Sequence, residues 1–144
     1  MTNVVAEILS REARQWRRAD PAYTDQIAAL LESSDFDWPT ALLDLWRFSN
    51  GGEGDLALPP MWFVLFTTEE VARLKEDEVF KEFQSIFQFF GSNGGLESVA
   101  FDLRSPTRPI VMIDLIAGAK SAVEIAGDAW EFVNAIGLEY SENA

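Results

Sequence analysis

The chain has 144 residues, 48% hydrophobic and 24% charged, a balance that gives one globular domain and excludes a disordered or low-complexity chain. It contains neither Cys nor His. That removes disulfides, thiolate nucleophiles, imidazole bases and zinc sites of the usual ligand types. Twenty-four acids against eleven basic residues leave a net charge of −13, which disfavours nucleic acid and would attract a basic protein, unless it serves solubility alone.

Residues 3–18 predict an amphipathic helix, with Val5, Ile8, Leu9, Ala13 and Trp16 on one stripe. Arg11, Arg14, Arg17 and Arg18 crowd its second half, which suits the negative end of a helix dipole. They are expected to form a solvated face or a docking patch. Asp20-Pro21 then caps and opens a second helix running to about Leu31, with Ile27, Leu30 and Leu31 inward. Ser33 to Asp37 is a turn. Pro39 opens a third helix whose Leu42, Leu43, Leu45, Trp46 and Phe48 cover most of its circumference, so this helix should be the buried one. Asn50-Gly51-Gly52 ends it, with Gly51 or Gly52 at positive φ.

The period then shifts towards strands. Met61–Phe66 is an apolar strand candidate, and Thr67-Thr68-Glu69-Glu70 holds a capping box that starts a helix with Val71 and Leu74 inward. Glu76 to Glu82 reads as helix or loop. Strand candidates follow at Phe87–Phe90, Ser98–Leu103, Pro109–Leu115 and Ala122–Ile125, with a hairpin loop from Leu103 to Pro109. Gly127-Asp128 leads into a closing helix with Ala129, Phe132, Val133 and Ile136 on one stripe, stopped by Gly137. Residues 139–144 read as a frayed tail. Helices first, strands in hairpin order and a closing helix make an α+β fold with a mostly antiparallel sheet. Trp46 and Phe132 are expected to be buried against it.

The glycine clusters at 50–55 and 91–95 lack the P-loop Lys and the strand-to-helix setting that cradles phosphate, and tight turns explain them better. Counted from Asn50, an EF-hand loop would need a closing Glu at its twelfth position, where Met61 stands. Asp102, Asp114, Glu97 and Glu124 are candidates for a carboxylate pair about 5–9 Å apart, or for outward-facing positions of a half-exposed sheet. Neighbours in one strand point to opposite faces. Trp62 with Phe63, and Phe89 with Phe90, therefore require a sheet covered on both sides or aromatics exposed for a partner.

The order Pro39…Leu42-Leu43…Trp46-Arg47-Phe48…Asn50-Gly51-Gly52 resembles the helix-then-Asn-Gly-Gly signature of the SUKH superfamily, the Smi/Knr type. Leu65-Phe66-Thr67-Thr68-Glu69-Glu70 resembles that family's strand-to-helix step, and Phe90-Gly91-Ser92-Asn93-Gly94-Gly95 its Gly-rich turn. Val99-Ala100-Phe101-Asp102, Pro109-Ile110-Val111 and Trp130-Glu131-Phe132-Val133 stand at its following strands and closing helix. The resemblance covers about residues 36–137, through order and spacing rather than any single motif. Asn93 departs from the Asp of many members, and the basic N-terminal segment has no counterpart. The resemblance implies a single SUKH-like domain over 1–144 that binds proteins without catalytic residues, metal or cofactor. Bacterial members are commonly immunity proteins that block toxins by direct contact.

Family and charge together give an immunity protein meeting a basic, nuclease-like toxin domain, with no nucleic-acid or membrane partner. A regulatory scaffold that recruits cellular proteins is the alternative, and a carboxylate-based hydrolase a more distant one. No segment has the order of a signal peptide, and no apolar run approaches the ~20 residues of a membrane span, so a cytoplasmic location is expected. Residues 20–66 set eight acids against Arg47 alone. Within them Glu53 and Asp55, expected on a glycine-flanked loop, are the first candidates for partner contact, with Glu97 beside the second glycine turn as the third.

Overall fold

In the computed structural model, which describes residues 2–141, seven strands lie side by side in chain order and every neighbouring pair is antiparallel. They are β1 (Trp16–Arg18), β2 (Gly52–Asp55), β3 (Trp62–Leu65), β4 (Phe87–Ser92), β5 (Glu97–Asp102), β6 (Ile110–Asp114) and β7 (Val123–Ala126). Five helices accompany them: α1 (Val4–Leu9), α2 (Thr24–Ser33), α3 (Thr40–Phe48), α4 (Thr68–Arg73) and α5 (Ala129–Ala135). The fold is α+β with a closing C-terminal helix. No described helix is long and apolar enough to cross a membrane.

The middle and end of the chain follow their local signals. Pro39 precedes the first turn of α3, and Leu42, Leu45 and Trp46 are fully buried. The Trp46 indole donates to the Phe66 carbonyl at 2.9 Å, so its one polar atom is satisfied where water is excluded. Gly51 and Gly52 both take positive φ, 108° and 105°, as the turn out of α3 requires. Asn50 Oδ1 accepts the Thr68 amide at 2.9 Å, fastening the end of α3 to the start of α4. Thr67 and Glu70 form the reciprocal capping box. Asp128 caps α5 through the Glu131 amide, its apolar stripe is buried, and Phe132 is fully buried. Residues 74–86 form two short 3₁₀ turns, Leu74–Glu76 and Phe80–Phe83, rather than a continued helix.

The N-terminal third departs from expectation. The helix expected over 3–18 ends at Leu9, and Arg11 to Gln15 turn into β1. The cause is tertiary: β1 pairs with β2, and the Gln15 amide donates to the Gly137 carbonyl at 2.7 Å. These contacts override the preference of a segment rich in good helix formers, Arg, Glu, Ala and Gln. Gly54 admits them, since a Cβ there would stand 2.2 Å from the Gln15 carbonyl oxygen. The second helix starts at Thr24, not Pro21. Segment 20–22 is tied down outside the helix, with Asp20 O accepting the Asn50 amide and the Ala22 amide donating to Trp46 O. Leu31, expected inward, is 44% exposed. Of the expected tail, 139–141 is irregular and residues 142–144 lie outside the described part.

Both faces of the sheet are covered at β4. Phe90 packs with Phe63, Phe101 and Phe132 under α5. Phe89 joins Phe87, Phe83, Phe80 and Phe66 in a separate ring cluster. A bulge between Phe89 and Gly91 accommodates the turn of the strand.

Candidate functional site

Three of the four arginines near the N-terminus have structural partners rather than a shared face. Arg14 Nη1 donates to the carbonyls of Asn134 at 2.9 Å and Ile136 at 2.7 Å, at the end of α5. Burial and neighbouring Arg11 push its pKa down from the usual arginine value. Arg18 donates to Phe48 O at 2.8 Å, at the end of α3, and stacks 4.1 Å above the Phe48 ring. The expected pairing of arginines with a helix C-terminus therefore occurs, but on two other helices. Arg17 pairs with Glu53 at 3.2 Å, and such charge on an edge strand also discourages pairing with another chain.

Glu53 and Asp55 do not lie on a loop; they belong to β2, because Gly52 and Gly54 let β1 approach closely enough to pair. Cross-strand partners share a face, so the row Arg17, Glu53, Val64, Ser92, Ser98 runs across β1 to β5. Asp55 stands on the same face beside Trp62, which is 40% exposed. Glu97 immediately precedes Ser98 and so points to the other face, three strands away. The sheet brings two of the three expected contact residues together and separates the third. Asn93, in the turn before Glu97, accepts the Gly95 and Glu97 amides through Oδ1, a task an Asp oxygen would also perform.

Of the carboxylate candidates the sheet brings only Glu97 and Asp114 together, as cross-strand partners. Glu97 on β5 faces Asp114 on β6, while Glu124 on β7 faces Val111 on β6. Asp102 is held by Arg104 through two 3.0 Å hydrogen bonds, and these bonds first of all hold its carboxyl below the usual range. Among the described residues no three acids converge to hold a metal ion.

A cleft of about 800 Å³ lies where several connections meet, and no motif pointed to it. The segment 33–39 before α3, the end of α4 with Lys75, the β5–β6 loop with Arg108 and the start of α5 form its walls. Phe36 and Phe101, 5.0 Å apart, line it with Gln84, Gln88 and Trp130. Trp130 is 42% exposed. Asp35, Asp37 and Asp128 stand at the same cleft. Only the Asp-Phe-Asp spacing in a turn could have marked part of this wall, because the rest meets through tertiary packing.

Sequence reasoning also missed Ser49, a fully buried hydroxyl at the end of α3. Its Oγ accepts from the Ala19 amide and the Trp16 indole and donates to Gly51 O at 2.6 Å. It joins β1, α3 and the glycine turn at one point.

The fold and these surfaces define an α+β domain with Glu53 and Asp55 on one sheet face and an aromatic-lined cleft elsewhere. No family model matches the chain, and no curated protein matches it.

Proposed function

We propose that the chain is a non-catalytic protein-binding module of the SUKH immunity type, which neutralises a cognate toxin with a basic surface by direct contact. The net charge of −13 carries the proposal. Distributed acids favour encounter with a basic protein and can occupy a groove built for phosphates. The order of elements from α3 to α5 supports it as well, since helix, glycine turn, capping-box helix, hairpins and closing helix follow the succession the resemblance implies. Asp102 is unsuited to serve as the general acid of the hydrolase reading, because Arg104 favours its ionised form.

The test is to express the protein encoded beside this one and measure association over a salt series. A stable complex whose association slows steeply as salt rises is expected. No complex, or a salt-insensitive association rate, overturns the proposal. The sheet face carrying Glu53 and Asp55 is probed best by Asp55→Lys, because reversing Glu53 also sets a new cation against Arg17. If that face makes the contact, Asp55→Lys slows association at low salt.

A further inference from the structure

The sheet face holds Glu53 against Arg17, so its charge is partly spent inside the molecule. The cleft differs. Among the described residues Asp35 and Asp37 form no ion pair and are exposed, and both flank Phe36, whose ring lies against Phe101. Asp128 adds a third carboxylate from the start of α5, and Trp130 a partly exposed indole two residues on. Two cations also line the cleft. Arg108 Nη1 is committed to the Leu103 and Ser105 carbonyls, and Lys75 is the second.

We propose that this cleft seats an arginine side chain presented by a loop of the basic partner, an assignment that rests on the protein-binding reading above. A guanidinium is planar, stacks on aromatic faces and takes carboxylates through paired donors. Aromatic rings beside unpaired carboxylates supply both kinds of contact, and a lysine ammonium would use only part of them. The concave wall of an acidic molecule also concentrates its field where a cation enters. The volume of about 800 Å³ exceeds one side chain, so residues flanking the arginine enter with it. Gln84 fits that arrangement. Its Nε2 is buried at this wall without a partner, a donor that a backbone carbonyl of the entering loop would satisfy.

The experiment titrates the isotope-labelled full chain, at low salt, with the Nα-acetyl methylamides of arginine, lysine and citrulline. The tryptophan indole N–H signals are followed, and W130F assigns that of Trp130. Arginine should shift the Trp130 signal saturably, with lysine weaker and neutral citrulline weaker by at least about tenfold. The double variant D35N/D37N, checked to melt as a folded protein, should lose the arginine response. An equal response to citrulline, a retained response in D35N/D37N, or a response at Trp62 in place of Trp130 overturns the assignment. Failure of the broader reading is distinct. A partner complex unchanged by D35N/D37N rejects the cleft and leaves the protein-binding function standing. Arginine binding with no partner complex does the reverse.

Discussion

The two faces of the sheet at β3–β5 bury aromatic rings by different means. Under α3 and α5, Phe63, Phe90, Phe101 and Phe132 meet Trp38 and Trp46, all nearly inaccessible, and regular helices cover them. On the opposite face Phe87 and Phe89 are equally buried, but Phe80, Phe83 and Phe66, only partly buried themselves, cover them from an irregular segment. A helix presents a continuous stripe, so losing one ring leaves a cavity that its neighbours cannot fill. The 3₁₀ turns have fewer fixed neighbours and room to relax. The first face should therefore carry more stability per ring.

Trp46→Ala tests the stronger side. It removes a fully buried ring 5.0 Å from Trp38 and orphans the Phe66 carbonyl. A loss of about 3–5 kcal/mol in denaturant unfolding is expected. Gly54→Ala tests the edge that the helix-covered face leans on. Its Cβ meets backbone at 2.2 Å and the Trp16 ring at 3.0 Å, so β1 must lift. About 2–3 kcal/mol should be lost, with hydrogen-exchange protection falling first at Trp16–Arg18. Unchanged exchange there would mean that β1 contributes little. Phe80→Ala, on the irregular side, should cost only about 1–2 kcal/mol, because the ring is only partly buried before its removal. A loss equal to that of Trp46→Ala would erase the contrast between the faces.

The same contrast explains what could be read from the residues alone. Where a turn signal and a repeating stripe coincide, as from Pro39 to Gly52 and from Asp128 to Gly137, local chemistry and tertiary packing ask for the same structure. At 10–18 they disagree. The stripe is helical, yet Gly52 and Gly54, some forty residues on, leave space for a backbone, and only the fold brings that space to Gln15 and Trp16. The same glycines were legible as turn residues, which turned Glu53 and Asp55 into loop residues when they belong to a strand. Phe89 and Phe90 were sufficient to demand cover on both faces, but the covering rings Phe80 and Phe83 sit among charges with no period. Of the site, the acidic balance was legible. The cleft was not, because its walls come from five separated stretches and none carries a motif.

Asp102 and Arg104 close the irregular face, and they give the smallest effect. Arg104 Nε and Nη2 each reach one Asp102 oxygen at 3.0 Å, and the guanidinium lies 4.9 Å over the Phe87 ring. Arg104 is nearly half exposed, so solvent screens the pair and Asp102→Asn should cost only about 0.5–1 kcal/mol at neutral pH. The sign of its pH dependence follows from the lowered carboxyl pKa. Unfolding releases Asp102 to its ordinary value of about 3.9, so the unfolded chain takes up the proton first as acid is added. The stabilisation is complete above that value and disappears as pH falls through the lower folded one. Wild type and Asp102→Asn should thus differ at neutral pH and converge in acid. Taking their difference cancels the titration of the other acids. Arg104→Lys should retain the charge but lose the paired geometry and the flat stack on Phe87, and so recover only part of the effect. A gap between wild type and Asp102→Asn that persists unchanged into acid would place the Asp102 contribution in shape rather than charge.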